Sequence, residues 1–273
     1  MLWRLLALAA LSCVPVACSP SSAPAAAAPP KHGDLPSDLA AEVRQAERLG
    51  RAIFEQDLAA SRAGDALVEA LSGEPDARIR GFISRREAGR WRVQFFGGER
   101  GQGLSSLWEA QVGAFGAGVS LSKLDPPRPL DAEGERMARA RLTAAAQPFL
   151  PCSSRYDIVI VPASEIGQEG FLVYLLASTA NEGEWIVGGH QRFLISADGS
   201  SVLAHQALSK GCLAVPASRR RAGSASGAWV THIVSDAPTE THVFLSLMHQ
   251  STLFVGTRRG TWRVAGEKIS FEG

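Results

Sequence analysis

The stretch from Phe171 to Leu208 constrains the fold of this 273-residue chain more than any other. Phe171–Ser178 is a continuous apolar run of strand length, bounded by Gly170 and by Asn181–Gly183, as expected of a strand buried on both faces. Beyond Glu184 the pattern alternates. Gln191, Phe193 and Ile195 point to one side and Arg192, Leu194 and Ser196 to the other. Asp198-Gly199 then supplies the pair that a tight hairpin needs, and Val202–Leu208 returns. A β-meander is therefore expected at the centre of the domain.

Strand and helix patterns flank this meander in a repeating order. From Ser37 to about Ser61 the chain reads as a helix, with Leu39, Val43, Ala46, Ile53 and Leu58 on one face. Gly50 interrupts that face and marks a close helix–sheet contact; a second short helix is expected over Asp65–Leu71. Strands follow at Ala77–Ser84, Arg90–Phe96, Leu104–Gly113 and Gly116–Leu124, up to a break at Asp125-Pro126-Pro127-Arg128-Pro129. A helix over Asp131–Ala146 then precedes a strand at Asp157–Val161 and the meander. After Lys210–Gly227, strands are expected at Trp229–Ser235, Thr241–Leu247, Thr252–Gly256, Gly260–Val264 and Lys268–Phe271. The fold class is thus α+β: antiparallel meanders with one N-terminal and one central helix. The order, with its Asp198-Gly199 turn, resembles two cystatin- or PepSY-like helix-plus-meander units.

The N-terminus reads as an address. Arg4 precedes an apolar segment from Leu5 to Ala17, which is shorter than the ~20 residues of a membrane-spanning helix and has the layout of a signal peptide. The residues Pro15-Val16-Ala17-Cys18-Ser19 resemble the lipobox of bacterial lipoproteins, with Pro15 where leucine is commonest; the resemblance implies lipidation of Cys18. Ser19 is similar to signals sorted to an outer membrane. The expected organisation is a signal peptide at 1–17, a lipidated, disordered Pro/Ala/Ser tether at 18–34, an N-terminal helix plus meander at 35–125, and a helix plus antiparallel sheet region at 131–273. The segments Leu49–Phe54, Gly188–Phe193, Lys210–Leu213 and Glu240–Ser246 resemble a group of exported bacterial proteins with no assigned activity, and no function follows from that likeness.

Charge excludes some partners. The chain carries 28 Lys and Arg against 27 Asp and Glu, and loss of Arg4 with the signal balances them, so nucleic acid is not an expected partner. No Gly-x-Ser-x-Gly elbow, phosphate-binding Gly-Lys-Ser/Thr or zincin motif occurs, and Gly97–Gly103 reads as a hairpin loop. No catalytic residue is assigned and no cofactor is required. The expectation is a non-catalytic binding or scaffold module of the cell envelope. It would be held on the periplasmic side of the outer membrane by its lipid and would engage an envelope protein, peptide or cell-wall partner. The alternative is a histidine-based metal-binding protein or metal-dependent hydrolase, taking zinc or another divalent ion. His232 and His242 share Thr-His contexts; were Ser235–Glu240 a hairpin tip, their imidazoles would face each other, with His190 or Glu240 as third ligand.

Cys152 and Cys212 are the remaining pair in the exported body. In that compartment they are most simply a disulfide, the alternatives being two buried thiols or a thiolate metal site. A thiol assay on denatured, unreduced protein is expected to find neither of them reactive; two free thiols would remove the bridge.

Overall fold

A computed structural model describes residues 33–98, 103–178, 183–216 and 227–273. The expected signal peptide, Cys18 and most of the tether lie outside the described residues. Among the described residues no helix is long and apolar enough to cross a membrane. The fold is α+β, and Lys31–Gly273 form one compact unit.

The first helix, α1 (Ala40–Ala70), is one continuous element where two were expected. It carries two successive apolar faces. Val43, Ala46, Leu49 and Ile53 join one core, and Ala59, Ala63 and Leu67 join another. Four antiparallel strands follow as a meander: β1 (Ile79–Glu87), β2 (Arg90–Gly97), β3 (Ser105–Val112) and β4 (Val119–Pro129). The β1–β2 turn places Ala88 and Gly89 at φ of 47° and 81°, the left-handed pair of a two-residue hairpin. Contrary to expectation, the proline-rich segment does not end the strand. β4 runs through Pro126, Pro127 and Pro129, which an edge strand tolerates because one side of its ladder makes no bonds.

Helix α2 (Ala132–Ala145) opens on Asp131, whose side chain accepts a hydrogen bond from the Gly134 amide at 2.7 Å. A second meander follows from β5 (Arg155–Pro162), β6 (Phe171–Ser178), β8 (Gln191–Ile195) and β9 (Val202–Ala207), paired in that order. A helix followed by four meandering strands thus occurs twice. The expected strand over Glu184–Ala197 is broken, however, into β7 (Glu184–Ile186), which pairs with β10 (Ala214–Pro216), and β8. The break has a steric cause. Gly189 sits at φ 88° against Cys152, and a Cβ there would approach the Cys152 Cβ to 2.3 Å.

The last region differs most. Residues Glu240–Met248 are helix α3, not a strand, and β11 (Gly227–Thr231) pairs parallel with β12 (Thr252–Thr257) across it. β13 (Gly260–Ala265) and β14 (Lys268–Phe271) complete an otherwise antiparallel sheet. Every residue from Glu240 to Ser246 is buried, so α3 has no polar face to betray its period. Gly50 of α1 is the point of closest approach: its expected contact with a sheet is made with α3 instead, against Val243 and the Glu240 carbonyl.

The two meanders lie edge to edge, β1 beside β5. α1 covers one face of both, packing on Val93, Phe95 and Ala110 and on Val159, Val161 and Leu172. α2 covers the other face, its Met137, Ala138, Ala140 and Ala144 meeting Ile83 and Phe96 of the first sheet and Ile160, Phe171 and Phe193 of the second. Two glycines of α1 separate packing from propensity. A Cβ on Gly50 would lie 2.5 Å from Val243 Cβ, whereas one on Gly64 meets nothing within 4 Å. Gly50→Ala is expected to destabilise by about 1–3 kcal/mol through overpacking, and Gly64→Ala to stabilise by up to about 1 kcal/mol. Urea denaturation of the two variants checks the pair; shifts of the same sign would contradict this account of α1.

Candidate functional site

The histidines singled out from sequence are brought together, but not as a hairpin pair. His232 follows β11, and His242 occupies the first turn of α3. Their rings meet edge to face with centroids 4.7 Å apart. His190 lies just before β8 and is near enough to lower the proton affinity of His242.

Each ring already spends a nitrogen on structure. The Ser235 hydroxyl donates to the Ala237 carbonyl at 2.6 Å, so it accepts from His232 Nε2 at 2.8 Å. His242 Nδ1 accepts from the Thr239 amide at 3.1 Å, closing the helix N-terminus. His190 Nδ1 accepts from the Ala177 amide at 3.0 Å, which ties the β7–β8 connection to β6. Among the described residues no group of three or more His, Cys, Asp or Glu is placed to hold a metal ion. Glu240, considered as a third ligand, instead accepts hydrogen bonds from Arg192 Nη1 at 2.5 Å and Tyr174 Oη at 3.1 Å. Tyr174 is fully buried, and burial followed by the Glu240 carboxylate pushes its phenol well above the ordinary range.

Cys152 and Cys212 lie at disulfide distance, S–S 2.04 Å and Cα–Cα 5.1 Å. They join the approach to β5 to the segment after β9, beyond the end of the central meander.

A second site carries no motif. At one end of the seam between the meanders, a cleft of about 860 Å³ opens between α1 and α2. Its apolar floor includes Met137, Ile160, Val161 and Phe171, with Trp91 at the side. Its rim is charged, and most of the charges are mutually paired. Arg85 holds Asp131 at 2.7 Å, and Glu55 holds both Arg51 at 2.9 Å and Arg86 at 3.0 Å. Arg136 on α2 and Glu165 in the β5–β6 connection border the same cleft outside these pairs. At its inner end the Ser84 hydroxyl is buried with no hydrogen-bond partner among the described residues.

Gln56 forms the inner wall. Its Nε2 donates to the Ser84 carbonyl of β1 at 2.9 Å, and its Oε1 accepts from the Ile160 amide of β5 at 2.7 Å. No spacing rule distinguishes such a glutamine; its only signal in the sequence is a polar residue between Ile53 and Ala59 on a face otherwise committed to the core. No protein family, curated protein or solved structure matches the chain.

Buried titratable groups make stability depend on pH. Burial lowers His190 to about 4 and His242 to about 3, the latter also through His232 and His190. Their unfolded value is 6.5, so their contribution is fully present above that pH and falls on acidification, by about 1.4 kcal/mol per unit for each. Asp57 acts oppositely. Burial, then Asp157, pushes it up to about 7, so its contribution is full below its ordinary 3.8 and declines as pH rises towards 7. Burial also lowers His232 and His249 and raises Glu42, so between pH 6.5 and 4.5 four histidines act against two carboxyls and the net is a loss of stability on acidification. Urea midpoints measured at several pH values are expected to show this slope, steeper in Asp57→Asn and flatter in His242→Gln. A wild-type slope of zero would contradict it.

Proposed function

We propose that this protein is a lipid-anchored binding module of the bacterial cell envelope, and that the cleft between α1 and α2 receives its ligand. The observation that carries the reading is the cleft itself. It has an apolar floor of adequate size and a fixed charged rim, the usual make-up of a preformed ligand site. The signal-like segment and Cys18 support an exported, membrane-held protein facing the periplasm from the outer membrane. The buried Tyr174–Glu240–Arg192 bonds, and the hydrogen bond that each of the three buried histidines makes to a neighbouring loop or strand, support a structural role for those polar groups rather than a catalytic one.

The ligand would be an envelope protein, a peptide or a cell-wall component with an apolar portion. The walls of the cleft are fixed before it arrives, since Gln56 and the Arg85–Asp131 pair join α1, β1, β5 and the start of α2. Little ordering cost then falls on binding.

Two measurements test this. Mass spectrometry of the mature N-terminus is expected to show an acylated Cys18; an unmodified residue following Ala17 would remove the anchor. A photo-crosslinking amino acid at Arg136, on the rim, is expected to give a discrete adduct in intact envelopes. The same probe at Val68, exposed on α1 away from the cleft, should give none. Identical adduct patterns at both positions would remove the cleft as the ligand site.

A further inference from the structure

We propose that the cleft is a strand-insertion slot: an extended peptide segment of a partner protein enters between β1 and β5 and hydrogen-bonds to both. This rests on the cleft being the ligand site, and it specifies what enters and how it is read.

β1 and β5 are each the edge of a four-stranded sheet, and they flank the seam without pairing to one another. The gap between them is filled at two successive levels by side chains. At the first, Arg141 of α2 lies 4.1 Å from the centre of the Phe82 ring and donates to the Ile158 carbonyl at 2.8 Å. At the second, Gln56 of α1 bridges the Ser84 carbonyl and the Ile160 amide. From one level to the next both strands advance by two residues, so they run in the same direction. The third level is Arg86 with Pro162. Among the described residues no side chain bridges it by a hydrogen bond, and both residues line the cleft.

The chemistry of Gln56 sets the width of the gap. A carboxamide is planar and presents an N–H on one side and a carbonyl oxygen on the other, as a peptide unit does. Gln56 donates to one edge and accepts from the other, which is what one peptide unit of an intervening strand would do. The edges are therefore held one strand's width apart, and that width continues into the open cleft.

The backbone groups are turned correctly. Glu87 and Arg90 close the two-residue β1–β2 hairpin, so Arg85 and Glu87 direct their backbone N–H and C=O groups to β2. Ser84 and Arg86 direct theirs into the gap. On β5, the bonded Ile158 carbonyl and Ile160 amide show that even-numbered residues face the gap, placing the Ile160 carbonyl there as well, whereas the Pro162 carbonyl opens the 3-10 turn Ala163–Ile166. The slot thus offers a donor and an acceptor from Arg86, and from the β5 side the Ile160 carbonyl as acceptor without a donor, since proline has no N–H.

An inserted strand would send alternate side chains to opposite faces. On the α1 side they would meet Ala52 and Glu55; on the α2 side, Met137 and Phe171. The occupant is accordingly an extended segment with apolar side chains at alternate positions, recognised through its backbone as in other strand-addition complexes.

The probe is a pool of hexapeptides capped at both ends and randomised over Ala, Val, Ile, Phe, Thr and Lys, incubated with the full chain in detergent. Retained peptides are recovered by size exclusion and read by mass spectrometry. The expected result is retention of members with alternating apolar residues. Retention should fall at least tenfold when the pool is N-methylated at every second amide, and also in Arg86→Pro, which lacks the gap-facing N–H but keeps every β1–β2 bond. Equal retention of plain and N-methylated pools would overturn strand pairing while leaving a cleft that binds through side chains. Retention of neither pool would overturn peptide insertion. Adducts from the Arg136 probe would then still decide, independently, whether the cleft binds something else.

Discussion

The two hydrogen bonds of the Gln56 carboxamide are the interaction on which the arrangement of the two meanders depends. They join backbone atoms of strands far apart in sequence, at a place where neither sheet can satisfy them itself. Without that side chain, the Ser84 carbonyl and the Ile160 amide would be buried polar groups lacking partners, at about 1–3 kcal/mol each. α1 then acts as a common lid because its length covers both sheets. Ala59, Ala63 and Leu67 seat it on the first meander, and Val43, Leu49 and Ile53 on the second and on α3. α2 closes the opposite face with small residues, Ala138, Ala140 and Ala144, which let it settle close to both sheets.

A second buried polar group orders the other end of α1. Glu240 stands in the first turn of α3, where the helix dipole favours a carboxylate, and it is bonded to Arg192 of β8 and Tyr174 of β6. Arg192 continues outward to Gln206 of β9, so the network crosses the second sheet from core to surface. Gly50 lets α3 approach α1 closely, and Glu240 fixes where along the sheet it lands. Apolar contacts alone would leave the helix free to slide; a buried ion pair that is satisfied in one position removes that freedom.

How much of this could be read from sequence follows from the range of the forces involved. The strands of both meanders were legible because alternation, apolar runs and turn residues are local. Phe171–Ser178 was bounded to the residue, and the Asp198-Gly199 turn falls where expected, with Gly199 at φ 79°. α3 reads as a strand because a helix buried on every side from Glu240 to Ser246 shows neither a two-residue nor a 3.6-residue period, and His242 is carried with it onto a strand that does not exist. Whether the histidines converge is left open by the sequence; His232 and His242 do meet, with a helix start against the end of β11 and not one hairpin strand against its partner. The cleft was invisible. It arises where two sheet edges separated by some 70 residues of chain come together, and its key residue is a single glutamine among core positions.

The edges of the two meanders also explain why an open slot can be tolerated. An exposed strand edge invites indiscriminate pairing, and proteins suppress it with prolines, charges or cover. The outer edge of the first meander is β4, which carries Pro126, Pro127 and Pro129. The inner edges are covered from opposite faces by α1 and α2 and plugged at two levels by Arg141 and Gln56. The third level stays open, and there Pro162 withholds a donor while Arg86 and Glu87 bring charge to the rim. A second sheet cannot stack on so short and recessed an edge; a single extended chain can enter it. Under the proposed function, the features that protect the fold from aggregation are then the ones that make its recognition selective. Width is set by Gln56, register by the missing Pro162 donor, and side-chain preference by Ala52 on one face against Met137 and Phe171 on the other.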